Sequence, residues 1–212
     1  MALIRSPDVG EHYFAAKPGT PSRPRSVDLV LPDLHLRLRT DSGMFSPDRL
    51  DPGTRILLET VPPPPAQGTL LDVGCGYGPI ALTMAKRAPG ATVVGVDVNE
   101  RALELARENA ESAGAGNATF ALPGDVDPGL RFAALWSNPP IRIGKAALHD
   151  LLLTWLPRLT PDGAAHLVVQ KHLGSDSLQR WLEQQGFPTS RIASRSAYRV
   201  LHVAARPQEG HL

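Results

Sequence analysis

Apolar and polar residues alternate from Val27 to Leu31 and again from Leu34 to Arg39, on either side of a Pro32-Asp33 turn. A period of two puts every second side chain on one face of a strand, so these runs predict a β-hairpin. Ahead of it, the first 26 residues carry Pro18, Pro21 and Pro24 among Gly, Ser and Arg and read as an irregular arm. After it, Asp51-Pro52-Gly53 opens a helix running to about Thr60, with a proline near its first turn. The run Pro62 to Pro65 ends that helix in a stiff connector.

From Thr69 onward short apolar runs alternate with helical periodicity. Strands are predicted over Thr69 to Val73, Ala91 to Val96, Ala118 to Leu122, Phe132 to Trp136 and Ala164 to Gln170, with two more near Arg191 to Ser194 and Tyr198 to Ala204. Helices are predicted over Pro79 to Ala88, Glu100 to Ala113, Lys145 to Leu159 and Ser175 to Gln185; the second places Ala102, Leu105, Ala106 and Ala110 on one face. This β-α repetition predicts an α/β, Rossmann-like architecture: a mostly parallel sheet, helices on both faces, and an antiparallel pair of strands at one edge. With 212 residues the chain has room for one such domain. Residues 1–60, the arm, hairpin and helix, are expected to pack on a core domain of residues 61–212.

Composition narrows the classes. No apolar run approaches the roughly 18 residues of a membrane span, and the Met1 to Gly10 stretch lacks the apolar centre of a signal peptide, so no membrane partner and a cytoplasmic location are expected. Cys75 is the single cysteine, which excludes an intrachain disulfide and a cysteine-built zinc site. The seven histidines, His149, His166 and His172 among them, show no spacing for a metal, so no metal is expected. Formal net charge is +1, but residues 131–212 hold 10 basic against 5 acidic side chains, a mild sign that this end meets an anionic partner. Oligomeric state leaves no trace in the sequence.

The sharpest motif is Leu71-Asp72-Val73-Gly74-Cys75-Gly76-Tyr77-Gly78, leaving a strand and entering a helix. Glycines there permit positive φ and let backbone approach a ligand closely. A dinucleotide loop, G-x-G-x-x-G, would place its third glycine at position 79, which is Pro79. Asp72 suits a cationic amino group rather than a pyrophosphate. Asp97, followed by Val98 at the end of the next strand, stands about 20 residues on, where a carboxylate accepts from ribose hydroxyls. Gly124-Asp125 after a third strand is placed to meet adenine. An amine acceptor, a diol acceptor and an adenine reader on one sheet edge fit S-adenosylmethionine better than a nicotinamide cofactor. Cys75, between the glycines, reads as a small buried thiol within the cofactor loop.

Trp136-Ser137-Asn138-Pro139-Pro140 falls where the fourth strand ends. Asn138 and Pro139 each precede a proline and are biased to extended backbone, and neither proline has an N–H. The Asn138 side-chain oxygen and the Pro139 carbonyl then offer two acceptors to a planar NH2 group. Methylating such a nitrogen needs that help, because its lone pair is delocalised and positive charge develops on it in the transition state.

With these motifs in this order, the chain resembles the class I S-adenosylmethionine-dependent methyltransferases of the "methyltransferase small" family, whose members include small-subunit ribosomal RNA guanine-N2 methyltransferases. The resemblance runs from about His12-Tyr13-Phe14 to the last strand. It takes in single-domain members carrying Asn-Pro-Pro-Ile-Arg (Asn138 to Arg142), then Gly144-Lys145, and Tyr198-Arg199-Val200-Leu201 near the end. It implies S-adenosylmethionine contacts at Asp72, Gly74, Gly76, Asp97 and Asp125, with Cys75, Gly78, Val98, Gly124 and Asn138 beside them. It implies catalysis at Asn138, Pro139 and Pro140, and a closing segment at Thr40 to Ser46 with Phe45 lining the site. Ile141, Arg142 and Lys145 are the remaining candidate substrate contacts, and Lys171 and Arg199 candidate phosphate contacts. Ribosomal RNA or a ribosomal subunit is the implied partner, and guanine N2 the implied target. Ile141 departs from relatives that place an aromatic ring there, which keeps a protein glutamine amide or a small molecule open as alternative targets.

Overall fold

A computed structural model describes residues 23–42, 44, 46–140 and 143–207. The expected arm therefore lies mostly outside the described residues, as do Phe45, Ile141 and Arg142. The hairpin is β1 (Pro24–Leu31) and β2 (Leu34–Asp41), antiparallel with Leu31 opposite Leu34. Helix α1 (Pro52–Thr60) starts as its sequence prescribes: the Asp51 carboxylate accepts from the Thr54 N–H, and Pro52 spends no donor in the first turn.

The β-α alternation follows as β3 (Thr69–Val73), α2 (Pro79–Arg87), β4 (Thr92–Val96), α3 (Glu100–Ser112), β5 (Ala118–Ala121), β6 (Phe132–Ser137), α4 (Lys145–Trp155), β7 (Leu159–Gln170), α5 (Ser175–Gln184), β8 (Thr189–Arg195) and β9 (Tyr198–Ala204). The sheet order is β5-β4-β3-β6-β7-β9-β8. Neighbours from β5 through β7 pair in parallel, while β9 runs antiparallel to both β7 and β8, which is the expected edge pair. The helix expected to reach Leu159 stops at Trp155. Pro157 has no N–H for a helical bond, so the chain tightens into a short 3-10 turn over Leu156–Arg158 and enters β7 five residues earlier than Ala164.

Two cores flank the sheet. On one face Leu29, Leu38, Leu57, Leu82, Leu103 and Trp136 pack in a single cluster, so the hairpin, α1, α2 and α3 share one interior. On the other face Leu152, Trp155 and Leu182 of α4 and α5 meet Leu135, Leu167 and Leu201. Each fully buried leucine contributes about 1.5–3 kcal/mol relative to exposure, and the hairpin supplies Leu29 and Leu38, both 0% exposed. Its register on the core is set by Asn109, whose side chain accepts from the Arg39 N–H at 2.7 Å and donates to the Arg39 carbonyl and to the Tyr77 carbonyl, each at 2.9 Å. That one buried amide joins the hairpin to the glycine loop.

Candidate functional site

Because β3, β4, β5 and β6 are parallel, the loops that leave them all emerge at one sheet edge. Gly74, Gly76 and Gly78 take φ of +75°, +54° and +96°, a region that L side chains rarely adopt. The loop is pinned across β4, with Gly74 N–H and Cys75 N–H both donating to the Val96 carbonyl at 2.8 and 3.0 Å. Gly78 then caps α2, with Pro79 as its first helical residue. A Cβ on Gly76 would meet nothing within 4 Å, so the loop has an open backbone face there. At Gly74 a Cβ would lie 3.8 Å from Pro140, so the loop and the Asn-Pro-Pro turn sit against each other.

Asp97 extends from the end of β4, partly exposed. One carboxylate oxygen accepts from the Gly76 N–H and the other from the Asn99 N–H, each at 2.9 Å. Burial raises its pKa from the usual carboxylate value, and the backbone donors partly offset this. Val98 beside it is 46% exposed, an apolar surface at the same edge. Gly124 and Asp125 are exposed in a 3-10 turn just after β5. These positions bring together the residues expected around a nucleoside.

Asp72 is placed differently. It has no exposed surface; one oxygen accepts from the Ala81 N–H in the first turn of α2 at 2.9 Å, and the other has no partner. Burial pushes its pKa up to about 8. The amine contact expected of Asp72 stays a proposal; in this structure the side chain is buried and braces the first turn of α2. Cys75 is buried, as expected, and burial raises its thiol pKa well above the ordinary value.

Asn138 follows β6, where Ser137 ties the end of that strand to β3 by donating its hydroxyl to the Val73 carbonyl at 2.6 Å. Both hydrogens of the Asn138 amide are engaged, with Nδ2 donating to Asp51 Oδ1 at 2.7 Å and to Thr54 Oγ1 at 3.0 Å. Among the described residues no donor reaches Asn138 Oδ1 or the Pro139 carbonyl. Among the described residues the two acceptors expected for an amine are thus unpaired, with Asn138 half-buried and Pro139 buried, and a helix-start motif, Asp51-x-x-Thr54, stands against Asn138. Nothing in the spacing of the sequence signals that. Tyr198 closes the far side of α1: a Cβ on Gly53 would lie 2.8 Å from its ring, and its hydroxyl accepts from Gln170 at 3.1 Å.

The segment expected to close over a cofactor begins at Thr40 and Asp41. Asp41 is buried and pairs with Arg101 in the first turn of α3, two residues past the Asn99 cap and close in sequence to Asp97. Lys145 is exposed at the start of α4 and Lys171 is exposed after β7. Arg199, expected from the sequence as a phosphate contact, is instead 8% exposed: its guanidinium donates to Ser194 and Tyr198, and its Nε is buried without a partner. Among the described residues no group of His, Cys, Asp and Glu could hold a metal, and no helix is long and apolar enough to cross a membrane. A cavity of about 510 Å³ between the hairpin turn and α1 and α2, lined by Asp33, Leu58, Lys86 and Arg87, includes none of the candidate site residues.

Comparison with known proteins bears on this geometry. The methyltransferase small domain model matches residues 35–202. An uncharacterized Bacillus subtilis protein, YbxB, is 35% identical over 196 residues, covering 91% of this chain and 98% of its own. Ribosomal RNA small subunit methyltransferase C of Hahella chejuensis is 34% identical over 174 residues, covering 79% of this chain and 49% of the relative. The same-named protein of Shewanella halifaxensis is 34% identical over 135 residues, 62% of this chain and 39% of the relative. The chain thus spans half or less of those two relatives. A T. thermophilus 16S rRNA N2 methyltransferase, solved with AdoMet and guanosine, superposes with a TM-score of 0.76 over 88% of this chain and 52% of that one, at 24% identity, and shares the fold.

Proposed function

The chain belongs to the methyltransferase small domain family, and from that footing we propose that it is an S-adenosylmethionine-dependent N-methyltransferase acting on an exocyclic amine, guanine N2 of ribosomal RNA. The observation that carries the amine reading is the amide of Asn138, whose nitrogen is committed to Asp51 and Thr54 while its oxygen stays open beside the glycine loop. The open face at Gly76, the Asp97 carboxylate and the exposed Val98 fit a nucleoside bearing an amino acid.

When bound, the cofactor supplies an electrophilic methyl group on a sulfonium. Gly74, Cys75, Gly76 and Gly78 line its amino acid end with backbone, and Asp72 holds the first turn of α2 beneath them. Asp97 would accept from the ribose, Val98 would pack on adenine, and Gly124 with Asp125 would meet the adenine edge. Asn138 Oδ1 and the Pro139 carbonyl accept the two N–H bonds of the target amine. As the nitrogen gains positive charge, both acceptors bind it more strongly than they bind the neutral amine, so their contribution falls on the transition state. Pro139 and Pro140 hold the turn extended and keep competing N–H donors away. Lys145, exposed at the start of α4, is the described candidate for substrate contact, Phe45, Ile141 and Arg142 stay candidates from the sequence alone, and the basic final third of the chain would steer a polyanion toward the site.

Ile141 favours a second target. Without an aromatic ring after Asn-Pro-Pro, base stacking is weakened, and a protein glutamine amide or a small molecule uses the same two acceptors. The test is transfer of tritiated methyl from S-adenosylmethionine to ribosomal RNA, separated subunits and total protein from cells lacking the gene. Label in RNA that disappears with Asn138→Ala supports the RNA reading. Label confined to protein overturns it in favour of the amide.

A further inference from the structure

The reading of Asn138 as the amine acceptor leaves one question, namely what stops its amide from turning over. A primary amide is nearly symmetric in shape, and a flipped Asn138 would present an NH2 to the target's own NH2, two donors facing one another. We infer that Asp51, with Thr54 as second acceptor, is the positioning residue that holds Asn138 Oδ1 toward the substrate; this rests on the amine-acceptor reading of the site.

The case is geometric. Asp51 is 8% exposed and Thr54 4% exposed, so both oxygens that receive the Asn138 amide are largely out of water. The Thr54 hydroxyl can donate as well as accept, so it tolerates either amide orientation, and the discrimination falls on Asp51. A carboxylate has only acceptors, and its Oδ1 already receives the Thr54 N–H at 2.9 Å as well as Asn138 Nδ2 at 2.7 Å. Turning the amide would set its oxygen against that carboxylate oxygen, replacing a charged hydrogen bond of 2.7 Å by two acceptors facing each other out of water. The amide is therefore held in one orientation. Asp51 itself is held because it caps α1, and α1 is held by Leu57 and Leu58 in the core. A helix cap 87 residues earlier in the chain thus sets the polarity of the acceptor.

The cap and the tether are separable by substitution. Asp51→Ser keeps an oxygen for the Thr54 N–H, since serine is a good N-cap, but its side chain is too short to hold Asn138 as well. Asp51→Asn keeps an oxygen at the shared position and should retain both contacts. Thr54→Val removes the second acceptor and leaves the cap intact. Two readouts are taken on the full chain. The first is the Asn138 side-chain NH2 pair in 15N–1H NMR spectra, identified by its loss in Asn138→Ala. The second is the split between kcat and KM, with cofactor affinity measured separately.

Asp51→Ser should shift the Asn138 amide pair and speed its exchange with water, and lower kcat by about 10–100-fold, as expected for loss of one strong positioning bond. S-adenosylmethionine affinity should stay within about threefold and Asp51→Asn should recover most of kcat. Thr54→Val should move the same resonances with a smaller loss. If Asp51→Ser leaves the Asn138 pair where it stands in the wild type, the inference is overturned. It is overturned equally if the variant loses cofactor affinity in step with kcat, or if Asp51→Asn is no better than Asp51→Ser. The NMR comparison decides the tether even if the wild type labels no RNA, so failure of the RNA reading and failure of this inference are told apart.

Discussion

Asp97 Oδ2 accepts the Gly76 N–H at 2.9 Å, so the carboxylate proposed to meet a ribose is also the brace of the glycine loop. The bond spans the ends of β3 and β4, and on that proposal one side chain serves both recognition and loop geometry. Asp97→Ala should weaken S-adenosylmethionine binding by about 10–100-fold, the loss expected for a charged hydrogen bond and a looser loop. Titration calorimetry of the purified variant checks this, and unchanged affinity would remove Asp97 from the cofactor site.

Asn138→Ala should separate binding from chemistry. On the proposed reading the side chain serves the target amine rather than the cofactor's own polar groups, so cofactor affinity should stay within about threefold while kcat falls by about 100-fold or more. A parallel collapse of affinity and rate would place Asn138 in the cofactor site and remove its acceptor role.

The buried carboxyl of Asp72 makes stability depend on pH. Its pKa in the folded protein, about 8, lies above the unfolded value, so folding favours the protonated form. Its contribution is fully present below about pH 4 and is lost progressively as pH rises toward 8, a change of about a few kcal/mol. Asp72→Asn still accepts from the Ala81 N–H and carries no charge at any pH. Urea denaturation at pH 5 and pH 8 should show the variant gaining on the wild type at the higher pH. A constant difference across that range would mean that Asp72 titrates normally.

His166 gives the opposite slope. Its ring is buried against Trp136 and the neighbouring His202, 3.2 Å away nitrogen to nitrogen, and burial pushes its pKa down to about 4. Stability from this group is present above the unfolded value near 6.5 and is lost as pH falls from there toward 4, by about 3 kcal/mol at most. His166→Gln should lower stability at pH 7 by removing packing, yet flatten the acid limb of a melting-temperature profile between pH 6.5 and 4. An acid limb as steep as that of the wild type would assign the acid loss to other groups.

Much of this molecule was legible in short stretches of chain. The alternation around Pro32-Asp33 specifies the hairpin, the Asp72 to Gly78 run specifies a strand, a tight loop and a helix start, and Asn138-Pro139-Pro140 specifies an extended turn after a strand. These are local matters, decided by φ preference, period and capping within a few residues. The parallel order that brings Asp97, Gly76 and Asn138 to one edge also follows from β-α repetition and its handedness.

What the tertiary structure alone decided concerns partners distant in sequence. A period of two states which face a side chain takes but not what stands opposite. The burial of Arg199 and the pairing of His166 with His202 come from the antiparallel register of β7 against β9. Asp72 ends up beneath the glycine loop because its side chain turns back to the first turn of α2. Asp51 read as the start of a helix and nothing more. It meets Asn138 only because α1 packs on the sheet over β7 and β9, and that packing delivers a helix cap to the amide proposed as the amine acceptor.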